Sequence, residues 1–139
     1  MKLRSLFRSS FFIISCALLL ISCPEDSKKD SLPGSQWILV TFDEDTVGYI
    51  EYVEFTSDQV NFYEDEETCW YYYFDTYEID GDMLVLDGGE YSVEFHLDGN
   101  QLRIINGSYE WVYKTASFDP DDFNLCEAAK RSAKWNFSK

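Results

Sequence analysis

From Gln36 onward, apolar and polar residues alternate with a period of two rather than 3.6, in runs that recur every eight to twelve residues. The pattern predicts eight strands: Gln36 to Phe42, Tyr49 to Phe55, Gln59 to Tyr63, Cys69 to Ile79, Met83 to Leu86, Tyr91 to Leu97, Gln101 to Ile105, and Tyr109 to Lys114. The fourth is long enough to hold a bulge. Asp80-Gly81-Asp82, Asp98-Gly99-Asn100 and Asn106-Gly107-Ser108 supply the positive-φ residues of short hairpin turns, so consecutive strands should pair as a meander. Eight meandering strands hide their edges by closing, which predicts an all-β, antiparallel up-and-down barrel over residues 36–115. The phase of the alternation assigns an interior: Trp37, Leu39, Val53, Phe55, Val60, Phe62, Tyr77, Ile79, Leu84, Leu86, Tyr91, Val93, Phe95, Leu102, Ile104, Trp111 and Tyr113.

Two stretches depart from simple alternation. Tyr71 to Phe74 puts aromatic rings on both faces of the fourth strand, read either as a ligand-stacking surface or as a strand covered on its outer side by the C-terminal segment. In that segment, residues 116–139, Asp119 can cap a helix that Pro120, Asp121 and Asp122 would begin. Phe123, Cys126, Ala129 and Ala133 form one apolar stripe, predicting a short helix over Leu125 to Lys134 packed on the barrel wall.

The N-terminal residues belong to no fold. Lys2, Arg4 and Arg8 precede an apolar stretch from Phe11 to Ile21, and no acid occurs before Glu25. Leu20-Ile21-Ser22-Cys23 resembles the lipobox of bacterial lipoproteins, which implies a signal peptide over residues 1–22 and acylation of Cys23. The alternatives are a plain secretory signal or a membrane anchor, although the apolar run falls short of the ~20 residues that span a bilayer. Ile13-Ile14-Ser15-Cys16 is a second candidate with too little apolar chain before it. Residues 23–35 read as the lipid-bearing Cys and a flexible tether, and twelve such residues reach roughly 40 Å when extended. Glu25 and Asp26 resemble the acidic export tags of some surface lipoproteins of Gram-negative bacteria. The implied location is the Gram-negative envelope, at the outer membrane, with the periplasmic and surface faces both open.

Composition sharpens this picture. The 139 residues carry 11 Lys and Arg against 26 Asp and Glu, a formal charge of −15. Three of the bases leave with the signal peptide, so residues 23–139 carry −18. Such a surface excludes nucleic acid as a partner, since phosphate binding needs clustered bases. An apolar fraction of 45% and an aromatic fraction of 18% exclude a disordered acidic tail.

Trp37-x-Leu39-Val40, Tyr77-x-Ile79-Asp80-Gly81-Asp82-x-Leu84-x-Leu86 and Trp111-x-Tyr113-Lys114 together resemble the small lipocalin-like domains of bacterial lipoproteins, over Gln36 to Lys114. The Gly-x-Trp of larger lipocalins is replaced by Gly34-Ser35-Gln36-Trp37, and the basic residue expected to cover that Trp could only be Lys114. The strands are short, and the 22 aromatics of the mature chain are enough to fill a shallow barrel, so a cavity does not follow from the fold. The resemblance also implies a Cys69–Cys126 disulfide, suited to an oxidising compartment; the alternative is two unrelated thiols.

Catalytic constellations are poor. His96 is the single His and falls on the polar face of its strand, and neither a His-Cys metal cluster, a nucleophile elbow nor a phosphate-cradling Gly loop is present. The chain reads as a non-enzyme without a cofactor. Its uneven acids carry more information. Asp43, Glu44, Asp45, Glu64, Asp65, Glu66, Glu67, Asp87 and Glu90 fall in or beside the connections after strands one, three and five, at one barrel end. That negative rim would favour a cationic or amine ligand, Ca²⁺ or a basic protein, or else simply maintain solubility. Two functions follow as expectations. One is a lipid-anchored module binding a small apolar or cationic ligand at the barrel mouth; the other is an inhibitor-like or immunity-like lipoprotein meeting a basic partner with its rim.

Overall fold

The computed structural model describes residues 31–126, 130–131 and 135. The expected signal peptide, Cys23 and most of the expected tether lie outside them. Eight antiparallel strands form a closed barrel: β1 (Gln36–Phe42), β2 (Glu51–Phe55), β3 (Gln59–Glu66), β4 (Cys69–Asp80), β5 (Met83–Leu86), β6 (Tyr91–Asp98), β7 (Gln101–Asn106) and β8 (Tyr109–Thr115). Each pairs with its sequence neighbour, and β1 closes the barrel against β8 through Trp37↔Thr115, Ile38↔Lys114 and Leu39↔Tyr113. A register shift between Leu39 and Thr41 puts the irregularity in β1 rather than in β4, whose ladder with β3 runs unbroken from Gln59↔Thr76 to Glu66↔Cys69.

Alternation built the interior as its phase required. Of the expected interior set, all are buried except Ile79 and Tyr91, which are half-buried and pack against the core. The same phase carries two carboxylates inward, Glu51 ahead of Val53 and Phe55, and Asp75 between Tyr73 and Tyr77. The Tyr113 hydroxyl donates to Glu51 Oε1 at 2.9 Å, and that of Tyr91 to Asp75 Oδ2 at 2.6 Å.

The strands differ greatly in length, and this shapes the rest. β4 has 12 residues and β5 only four, so β5 pairs with Tyr77 to Asp80 and leaves the first two-thirds of that β4 edge without a barrel partner. The segment after β8 supplies one. Trp70 N–H donates to Asn124 O, Cys126 N–H donates to Trp70 O, and Lys130 and Arg131 pair in parallel with Tyr73 and Phe74. The Cys69–Cys126 disulfide fixes this docking, with Cα atoms 5.0 Å apart. Its 57-residue loop corresponds to about 4 kcal/mol of chain-entropy stabilisation.

The expected helix over Leu125 to Lys134 is not formed among its described residues. Asp119 does cap, accepting from Asp121 N–H, but the helix stops after one 3₁₀ turn at Pro120–Asp122. Phe123 leaves in an extended conformation because its ring is held at 4.3 Å from that of Trp70, and Leu125 bridges Trp70. Edge pairing and ring burial outweigh a modest helix preference. Ala129 and Ala133 of the expected stripe lie outside the described residues.

This docking covers the outer face of β4. Tyr52, Tyr63, Trp70, Phe118 and Phe123 form one aromatic cluster, with Tyr72 stacked on Tyr63 at 5.1 Å. Beneath it Gln36 Nε2 and Asn61 Nδ2 donate to the two oxygens of Glu54, and Tyr72 donates to Asn61 Oδ1. Rings on the two faces of β4 therefore serve two packing surfaces.

Residues 32–35, expected within a flexible tether, are instead part of the fold. Leu32 is fully buried in the core, Gly34 N–H donates to Phe55 O, and Ser35 caps Leu32 O with both its N–H and its hydroxyl. Trp37 Nε1 donates to Ser35 Oγ at 2.7 Å. Lys114, opposite Ile38, is exposed on the outer wall, so Ser35 and not a basic side chain finishes the floor around Trp37.

Candidate functional site

Connections after β1, β3, β5 and β7 lie at one end of the barrel, and the remaining hairpins, with the start of β1, lie at the other. The acids expected at the rim are brought to that first end. Asp43, Glu44, Asp45, Glu66, Glu67 and Glu90 are exposed, whereas Glu64, Asp65 and Asp87 are half-buried. Glu64 is the cross-strand partner of Glu51, so carboxyl groups run from the rim into the upper interior.

The rim's backbone is as distinctive as its charge. Among the described residues, the non-glycine positions with positive φ are Asp43 (51°), Glu44 (70°), Glu67 (21°) and Asp87 (50°). All four are rim acids. Asp43 and Glu44 form a two-residue turn, since Phe42 pairs with Asp45 and Thr41 with Thr46. Such turns favour Asn-Gly, because a Cβ in the left-handed region costs roughly 1–2 kcal/mol per residue. Glycine takes positive φ at both ends, at Gly81 and Gly99 on the opposite end and at Gly88, Gly89 and Gly107 on the rim. Carboxylates thus stand where glycine is the cheaper residue.

Beside the turn, Val47, Gly48, Tyr49, Ile50, Asp65 and Glu67 line a cleft of about 490 Å³. Asp65 N–H donates to Ile50 O at 2.9 Å and holds its two walls together. Tyr49 and Ile50 are 39% and 42% exposed, two of the large apolar side chains most open to water. An apolar pair flanked by carboxylates matches a cation that carries its own hydrocarbon, such as a lysine or arginine stem. Among the described residues no group of three or more His, Cys, Asp or Glu gathers as a metal site would require.

Below the rim, the barrel is occupied by its own chain. Trp135 is fully buried, its ring 4.9 Å from Phe62 edge-on, 6.2 Å from Phe55 in stacked orientation and 6.4 Å from Tyr113. Trp135 Nε1 donates to the Tyr113 hydroxyl at 3.0 Å, and Asn106 Nδ2, in the last residue of β7, donates to Trp135 O. Burial, and then the Glu51 charge, push the Tyr113 hydroxyl well above its ordinary pKa of 10.0. Tyr91 is raised likewise by burial and by its bond to Asp75. Sequence reading placed neither Trp135 nor the inward carboxylates. The signal for Glu51 and Asp75 was present, since both fall in phase with the core residues of their strands.

His96 is half-exposed, with Nε2 2.7 Å from Glu94 Oε1 on the outer wall, away from the rim. Family models, curated proteins and solved structures each yield no match to this chain.

Proposed function

We propose that this chain is a lipocalin-like lipoprotein, anchored through Cys23 in the Gram-negative outer membrane, that binds a basic protein partner with its acidic rim. The observation that carries the reading is the coincidence of charge and backbone: among the described residues, the non-glycine positions with positive φ, Asp43, Glu44, Glu67 and Asp87, are all acids of the rim. The exposed pair Tyr49 and Ile50 supplies an apolar anchor within the charged ring. Trp135 in the barrel interior favours a partner met at the rim over a ligand held deep inside. A second reading, a small cationic ligand in the Val47 to Glu67 cleft, draws on a volume within the range of small-molecule sites.

Lipid attachment and rim binding are tested separately. Cys23→Ala should move the protein from the membrane to the soluble fraction, because the two-chain anchor that acylation would supply is lost; continued membrane attachment would reject acylation at Cys23. For the rim, Glu64→Gln, Asp65→Asn, Glu66→Gln and Glu67→Gln are combined, and binding to polylysine, a set of basic proteins, spermidine and Ca²⁺ is measured at low and moderate salt. Basic proteins should bind the native chain with a steep salt dependence that the neutralised chain loses. Binding of spermidine alone selects the small-ligand reading, and unchanged affinities reject the rim as a site.

A further inference from the structure

Above the start of β2 the barrel wall has a gap between two strand edges. β2 begins at Glu51, opposite Glu64 of β3, whereas β1 runs on to Phe42 and β3 to Glu66. The chain fills part of this gap itself: after the Asp43-Glu44 turn, Asp45 and Thr46 fold back on Phe42 and Thr41 as a two-residue strand. Val112 and Trp111 of β8 take the other edge of β1 at this level, so the short strand lies on the β2 side. Val47 N–H continues the pairing, donating to Val40 O at 3.4 Å. Main-chain groups alternate between the two edges of a strand, so with Asp45 and Val47 turned toward β1, those of Thr46 point away from it. Each of the eight barrel strands has a neighbour on both sides, and Asp45–Thr46 have β1 alone.

From this edge the chain continues into the wall of the cleft, Val47 to Ile50, facing Asp65 and Glu67 at the end of β3. The bond from Asp65 N–H to Ile50 O closes the foot of the cleft. Gly48 lines it, and of the seven glycines it is the one whose φ is not positive. The backbone does not require glycine there, and a Cβ would meet no atom of the protein within 4 Å. What glycine supplies at such a position is a bare main chain that another backbone can approach closely. The facing wall is acidic, and among the described residues neither Asp65 nor Glu67 forms a salt bridge. The bases between residues 31 and 126 are Arg103, paired with Glu110, and Lys114, and neither lines the cleft.

We propose that this gap is a strand-addition site for an extended segment of the basic partner, with lysine or arginine at every second position. The segment pairs its main chain with the Thr46 edge and lies along Gly48. Alternation puts its cationic side chains on one face, toward Asp65 and Glu67, with their hydrocarbon stems on Tyr49 and Ile50. The proposal rests on the acidic rim as the partner-binding surface and adds to it the conformation in which the partner is bound.

The test uses the full chain and the capped peptide Lys-Thr-Lys-Thr-Lys-Thr-Lys, with two further forms of the peptide, N-methylated at the threonine amides or at the lysine amides. All three carry the same charge, and each methylated form loses the N–H donors of one strand edge. At low salt the parent peptide should bind the native chain; one methylated form should bind about tenfold more weakly, and the other within about threefold of the parent. Gly48→Val should weaken the parent about tenfold and leave the denaturation midpoint in place, since its side chain meets only open space. Equal binding of the three peptides, or equal losses in both methylated forms, overturns strand addition and leaves the rim standing as a purely electrostatic surface. Unchanged affinity in Gly48→Val also overturns it. Should that variant unfold at lower denaturant, the two methylated forms decide alone. A native chain that binds basic proteins but not the peptide overturns this proposal only, whereas one that binds neither overturns the rim as well.

Discussion

The segment beyond β8 touches the barrel on both of its faces, and the two contacts are built on opposite principles. Outside, Phe118 and Phe123 lie on Tyr52, Tyr63 and Trp70, half-exposed and fastened by a covalent bridge at Cys69. Inside, Trp135 is fully buried and fastened by hydrogen bonds to Tyr113 and from Asn106. The outer contact can lean on a covalent link because solvent keeps its packing weak. The inner one needs none, because the barrel removes the whole ring from water and satisfies its single donor.

The largest effect should come from the inner contact. Trp135→Ala removes a buried ring from a closed core and is expected to cost about 3–5 kcal/mol, read as a fall in the denaturation midpoint. Cys69→Ser with Cys126→Ser tests the outer fastening and is expected to cost about 2–4 kcal/mol, with proteolysis appearing first between Ala116 and Cys126. If proteolysis begins within the barrel strands instead, the bridge holds the barrel and not the cover.

Tyr113→Phe should cost about 1–3 kcal/mol, because it removes the hydroxyl between Trp135 Nε1 and Glu51. The same residue sets an alkaline limit. Unfolded, Tyr113 ionises near its ordinary value of 10.0; folded, it keeps its proton to well above that value. Above pH 10 the folded state therefore binds more protons than the unfolded state, and stability falls as pH rises, by up to about 1.4 kcal/mol per pH unit for this residue. Below pH 10 it contributes no slope. Urea titrations at pH 9, 10 and 11 should show the loss in the native chain and a shallower one in Tyr113→Phe.

The smallest change is expected for Phe123→Ala, about 1–2 kcal/mol, since its ring is only partly removed from water. Combined with Trp135→Ala, its effect should add within ~0.5 kcal/mol if the two faces are independent. A larger coupling in equilibrium unfolding would mean that the segment docks as one unit.

The sequence made the barrel legible because alternation reports on a sheet with one buried face. All eight strands and nearly the whole interior followed from it, as did the grouping of acids at one end. It was silent on Leu32 and Trp135, which lie outside any strand and enter the core through tertiary docking. The helix expected after Asp119 shows the same limit from the other side. Its cap is real, but an open β4 edge and an aromatic surface for Phe123 outcompete a local preference that a linear pattern can register. The strained rim was likewise hidden, since Asp43 and Glu44 read as an ordinary polar loop until their pairing partners are known.

The mismatch between the long β4 and the short β5 has a kinetic consequence. The β3–β4 hairpin pairs locally, but the residues that complete the Cys69 to Thr76 edge lie some 57 positions later in the chain. Until they arrive, Trp70-Tyr71-Tyr72-Tyr73-Phe74 is an uncharged aromatic edge with unsatisfied backbone groups, suited to pairing with another copy of itself. The nascent barrel is thus exposed to self-association during a defined interval. The acids Glu64 to Glu67 immediately before that edge act as gatekeepers, repelling a second chain while the first waits for its own C-terminal segment.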